Sequence, residues 1–250
     1  MEIQVKFGAK PVARFLSLIV FVLVVASVIV TMMTYYWRVD SYLGAEIRES
    51  FVRLFFLDYE ANVPTWYSSS ILLLCAALLT VITLAKRGAS DRYTLHWCIL
   101  ALGFLYLSLD EAALLHEMAI VPMQNLFDLG GLLYYGWIIP ALLVLAVLLV
   151  MYLRFFLHLQ GRTRWLFLVA GLIYVGGAIG FEAISGQHAE QFGEVGIVYD
   201  LIITVEELFE MSGVVLFIYA LLDYLGKESI RMHVSFRNDT PAQNHNRQSG

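Results

Sequence analysis

Three stretches of the chain place acidic side chains inside otherwise apolar sequence, the first two with a histidine as well: SLDEAALLHE over 108–117, GFEAISGQH over 180–188 and VEELFEMSG over 205–213. Carboxylates and imidazoles projecting from facing helices are the ligand set of dinuclear iron or manganese centres, and oxygen donors with imidazole suit Mn, Fe or Zn better than Cu(I). Asp110, His116, Glu182, Glu206 and Glu210 are therefore expected to hold a divalent metal directly. Glu111, Glu117, Glu207 and His188 stand as supporting or alternative ligands. Such a metal would activate water or dioxygen against a lipid-soluble substrate entering sideways, as in a membrane hydrolase or oxidoreductase, with an unligated carboxylate as general base. The pattern departs from known motifs. Ala113 and Ser185 stand where Glu-x-x-His would need glutamate, and HExxH is absent. No nucleotide or dinucleotide motif occurs.

Two other chemistries compete. Intramembrane acids serve as proton or cation relays, which would make the chain a coupled transporter, although Thr94, His96 and Ser108 offer little material for a path onward. Protonated acids can also hydrogen-bond between helices, since burial disfavours the charged form, which would make the cluster structural. A serine nucleophile is disfavoured, because Ser108, Ser185 and Ser212 lack a base at suitable spacing.

The elements that must position these groups follow from composition. Of 250 residues, 60% are hydrophobic and 15% charged, against about 25% charged in a soluble domain. This excludes a water-soluble globule and a disordered chain and implies an all-α integral membrane bundle. The net charge of −5 argues against a nucleic-acid partner, which calls for a basic face; the partner is the bilayer. Cys75 and Cys98 lie in apolar runs and read as small buried hydrophobes.

Runs of about 20 apolar residues fall at 12–37, 68–85, 93–120, 133–153, 165–185 and 199–224, giving six transmembrane helices in one domain over 1–234 and a polar, disordered tail over 235–250. The first run reads as an uncleaved anchor. With the N-terminus inside, 13 of the 16 basic residues fall on the inner side, and lysine and arginine bias sets orientation. Both termini are expected in the cytoplasm, in a plasma (inner) membrane. In the first outer loop Leu43, Ile47, Phe51, Leu54 and Phe55 recur at helical spacing, the pattern of a short amphipathic helix on the membrane surface. Tyr35, Tyr36, Trp37, Trp66, Tyr67, Tyr134, Tyr135 and Trp137 read as interfacial anchors, as do His96 and His158 on the inner side.

The seven carboxylates of the three acidic stretches have no lysine or arginine within spans three, five and six. Each charge near the bilayer centre costs about 2.5–3.5 kcal/mol on insertion scales, so something positive or wet must offset them. Counting about 1.5 Å per residue puts all three groups in the outer half of the bilayer, as one cavity open to the outside. Asp110 and Glu117 share a helical face with Gly103 and Tyr106, Glu206 and Glu210 share a stripe with Gly213, and Glu182 shares one with Ala178, Ser185 and Gly186. Gly176 and Gly180 form a GxxxG pair within the small-residue run Gly176, Gly177, Ala178 and Gly180, a surface for close helix packing.

Overall fold

A computed structural model describes residues 8–37 and 41–228. The 235–250 tail lies outside them, as do Lys6, Arg38 and Asp40. Among the described residues there are helices and no strands, as expected where every backbone polar group must be satisfied within its own segment. Nine α-helices follow in order: α1 (Ala9–Tyr36), α2 (Tyr42–Phe55), α3 (Val63–Gly88), α4 (Thr94–Ala113), α5 (Ile120–Phe127), α6 (Ile138–His158), α7 (Gly161–Val175), α8 (Glu182–Phe192) and α9 (Ile197–Lys227). A π-helical stretch, Gly176–Phe181, joins α7 to α8. Among the described residues five helical segments are long and apolar enough to cross a membrane: α1, α3, α4, α6 and the continuous run Gly161–Phe192.

Local chemistry explains where these helices start. The Asn62 side chain accepts from Thr65 N at 3.0 Å, with Pro64 in the first turn of α3, and its amide donates to the carbonyls of Phe56 and Tyr59, both at 2.7 Å. One side chain thus caps the helix and folds the preceding loop beneath it. That loop is also tied to α1, where Ser27 Oγ accepts from Leu57 N at 3.2 Å. Helix α2 opens on Ser41, whose hydroxyl accepts from Gly44 N, and exposes Leu43, Ile47, Phe51 and Leu54.

Helix α9 is the hub. It packs against α1, α3, α7, the π-helical stretch and α8, while α3 and α4 form the other close pair. The core runs through Leu72, Leu79 and Ile82 of α3, Trp97 of α4, Phe155 of α6 and Met211, Ile218 and Leu221 of α9. The Trp97 ring meets Phe155 edge-on at 5.0 Å and Tyr224 at 5.1 Å. Ser69 and Ser108 donate to each other's carbonyls at 2.7 and 2.8 Å, clasping α3 to α4, so the Ser108 hydroxyl is spent on packing.

One sequence expectation needs correcting and another is sharpened. The run 93–120 is not one helix, because α4 stops at Ala113 and Leu114 takes a left-handed conformation with φ 54°. Within the small-residue run, close packing is found, and it falls on Gly177 rather than on the GxxxG pair. A Cβ on Gly176 would meet only Phe209 at 3.9 Å and one on Gly180 would meet nothing, whereas one on neighbouring Gly177 would lie 2.9 Å from the Glu206 carbonyl and 3.0 Å from Glu210 N. Gly213 on α9 is the counterpart, with Tyr174 N at 2.7 Å. Gly177 and Gly213 let the two backbones touch, and the helix widens into π geometry at that crossing.

Candidate functional site

The turn that ends α4 builds the first part of the site. Asp110 accepts twice from His116, from the backbone N at 2.8 Å and from Nδ1 at 2.9 Å. Residues six apart cannot share a helical face, so the chain must turn back at Leu114 to make this pair. A left-handed residue other than glycine costs about 1–2 kcal/mol, which the two hydrogen bonds to a carboxylate offset. His116, past the end of α4, loses hydration, which favours neutral imidazole. The hydrogen bond and charge of Asp110, with Glu182 and Glu117 nearby, outweigh that loss and hold its pKa above the usual histidine value.

His116 leads on to α8. Its ring lies 4.8 Å from the Trp137 ring, and the Trp137 indole N–H donates to Glu182 Oε1 at the start of α8. Asp110, His116, Trp137 and Glu182 therefore form a string of contacts from α4 to α8. Trp137 was legible only as an interfacial anchor, and nothing in its sequence context pointed to a carboxylate partner.

Across the Gly177 crossing lie the acids of α9. Glu206 is 9% exposed, and its Oε2 is buried without a hydrogen-bond partner. Glu207 lies within electrostatic reach of Glu111 and Glu182. Glu210 lies within reach of Glu206, Glu207, Glu111 and Glu182, with its Cγ against Gly177. Ser68 stands beside Glu111 and Tyr174 near Glu210. The structure thus brings Asp110, Glu111, His116, Glu182, Glu206, Glu207 and Glu210 into one neighbourhood. Glu117 sits at its exposed margin. His188 faces the rings of Phe192 and Tyr199 instead, and its Nδ1 is buried without a partner. Among the described residues no three His, Cys, Asp or Glu side chains stand together as a metal-holding group.

Loop acids extend the negative region. Desolvation, then repulsion from Asp200, Glu194 and Glu117, pushes Asp58 up to about 6, and desolvation followed by Glu117 raises Glu60. Sequence reasoning did not single out Asp58 and Glu60, because loop acids are ordinarily solvated and this loop also carries Arg38, Arg48 and Arg53. Among the described residues no lysine or arginine pairs with a carboxylate of the cluster, and its one ion pair is Asp110 with His116 at 2.9 Å. Apart from Arg53–Glu49 within α2, the Lys and Arg pairs lie at the other end of the bundle: Lys86 with Asp91 and Glu228, and Arg162 and Lys227 with Asp223.

A family model described as a domain of unknown function, DUF8692, matches residues 16–225. The chain belongs to that family. The match takes in α9 as far as Leu225 and every acid of the cluster. No curated protein and no solved structure matches the chain.

Proposed function

We propose that this is a six-span protein of the plasma (inner) membrane, with α9 as the sixth span and both termini cytoplasmic, whose cluster of carboxylates takes up a divalent cation (Mn, Fe or Zn) from the outer side. The observation that carries this reading is the buried, unpartnered Oε2 of Glu206, set among acids that no lysine or arginine pairs with among the described residues. A buried carboxylate left unpaired is costly, and one beside others more so. A cation removes both penalties. Glu182, Glu206, Glu207 and Glu210 are the natural donors, and binding would draw them together from their present separate positions. Asp110 and His116 would guard the approach from the α4 turn. A bound cation would polarise a water or a substrate oxygen at this depth, and a lipid-soluble substrate would reach it from the bilayer.

A second reading, proton-coupled transport, is favoured by one feature, the string Asp110–His116–Trp137–Glu182, which joins titratable groups on two helices. Metal analysis separates the two. Detergent-purified protein dialysed against Mn, Fe or Zn is expected to retain about one equivalent, and Glu206→Gln to lose it while keeping its helical content; Glu60→Gln, in an exposed loop, should bind as the native chain does. Retention of no cation, together with a Glu206→Gln variant that melts like the native protein, would leave the acids as protonated interhelical contacts and refute cation binding. Proton flux in proteoliposomes that depends on Glu182 but not on a divalent cation would favour transport.

A further inference from the structure

Helices α1 and α9 leave between them a groove of about 620 Å³, lined by Lys10, Arg14, Phe21, Val24, Leu216 and Tyr219 among others. Its polarity is graded along its length. Lys10 and Arg14, one turn apart on α1, occupy one end, where Arg162 also stands, its guanidinium donating to the Tyr219 hydroxyl at 2.8 Å. Toward the other end the walls are valine, phenylalanine and leucine. Among the described residues neither Lys10 nor Arg14 has a carboxylate partner. Lys10 to Val24 spans about 21 Å of helix at 1.5 Å per residue, and a single leaflet of hydrocarbon is about 15 Å thick.

We infer that this groove holds an anionic glycerophospholipid of the cytoplasmic leaflet, its phosphate at Lys10, Arg14 and Arg162 and an acyl chain along Phe21, Val24 and Leu216. Three unshared or partly shared cations at one end of an apolar channel of leaflet length match such a molecule in charge and in reach. Basic pockets between transmembrane helices on the cytoplasmic side take anionic headgroups. A zwitterionic lipid brings its own ammonium to the same place and gains less. The inference rests on the membrane orientation proposed above but not on the cation site.

Native mass spectrometry of the full chain, delipidated and then exposed to phosphatidylglycerol or phosphatidylcholine, provides the test. The native chain is expected to retain phosphatidylglycerol at least tenfold better. The double variant Lys10→Gln/Arg14→Gln should lose that preference while still binding metal as before. Ser212→Trp, which fills the groove wall, should lower retention of both lipids. Equal retention of the two lipids by the native chain, or an undiminished preference in the double variant, would overturn the inference. So would efficient disulfide dimerisation of Phe21→Cys in liposomes, since a second copy would then cover the groove. Inorganic phosphate that competes the lipid away would show the site to be a phosphate site without an acyl channel, and would equally overturn it.

Discussion

Replacing Gly177 by alanine perturbs the crossing that brings the α9 acids to the rest of the site. The added Cβ would lie 2.8 Å from Glu210 Cγ, 2.9 Å from the Glu206 carbonyl oxygen and 3.0 Å from Glu210 N. A turn of the Glu210 side chain relieves the first contact, but the other two are backbone atoms inside a helix and cannot yield singly. Helix α9 must shift by several tenths of an ångström, and overpacking of this kind costs about 1–3 kcal/mol. Alanine also gains up to about 1 kcal/mol in helix propensity over glycine, so the native chain alone is a poor reference. Gly180→Ala supplies a better one, since it makes the same change in the same π-helical stretch and its Cβ meets nothing within 4 Å. The difference between the two variants isolates the packing cost. In thermal unfolding followed by circular dichroism in detergent, Gly177→Ala is expected to melt below Gly180→Ala, at roughly 2–4 °C for each kcal/mol in a chain of this size. Gly213→Ala opens the same crossing from the α9 side, so the double variant Gly177→Ala/Gly213→Ala should cost less than the sum of the singles. If Gly177→Ala and Gly180→Ala melt together, the backbones are not in contact there and the site as described is wrong.

Other variants probe the rest of the molecule. Asn62→Ala removes a helix cap and two hydrogen bonds to loop carbonyls; it should cost about 2–3 kcal/mol and increase protease cleavage between α2 and α3. Trp97→Ala empties a fully buried site between α4, α6 and α9 and is expected to cost about 3–5 kcal/mol, read as a lowered Tm. The Asp110–His116 pair should make stability depend on pH. Because the folded state raises the histidine pKa, the contribution is complete below the unfolded value near 6.5 and is lost as pH rises through the folded value. Tm should therefore fall across and above neutral pH in the native chain, and the fall should flatten in Asp110→Asn. An equal slope in both would show that the pair does not titrate with folding.

Apolar run length was enough to find the helices, and α1, α3 and α9 lie within a few residues of the stretches read from hydropathy. The ends were harder. Nothing from Asp110 to Ile120 breaks a helix, since alanine, leucine and glutamate all favour one. The stop at Ala113 depends on a tertiary arrangement, namely Asp110 satisfying the backbone N–H and ring of His116. Helix α6 begins at Ile138, five residues later than the apolar run, because Gly131–Leu133 form a 3₁₀ turn and Trp137 is turned toward Glu182. Which glycine of the run makes the contact has a similar origin. A four-residue spacing marks a face in an α-helix, but in the π-helical stretch the period is longer and the contact moves to Gly177. The acids were legible because carboxylates in apolar runs carry a large insertion cost, whatever their partners. Their partners were not, since Trp137, Ser68 and Tyr174 look like any other residues of a membrane helix.

The distribution of charge constrains how the cluster can work. Lysine and arginine pair with carboxylates at one end of the bundle, through Lys86, Arg162 and Lys227, while among the described residues no lysine or arginine pairs with the acids around Gly177. A protein needing only structural hydrogen bonds at this crossing could use glutamine or serine at far lower insertion cost, and Ser69 with Ser108 does this between α3 and α4. Four glutamates on three turns of two touching helices instead create a place whose energy falls when positive charge arrives. Cation binding there should stabilise the fold by mass action, so added Mn or Zn is expected to raise the Tm of the native chain and not that of Glu206→Gln. The same Tm increase in both would mean that the metal binds elsewhere, and the acids would then have to be explained without it.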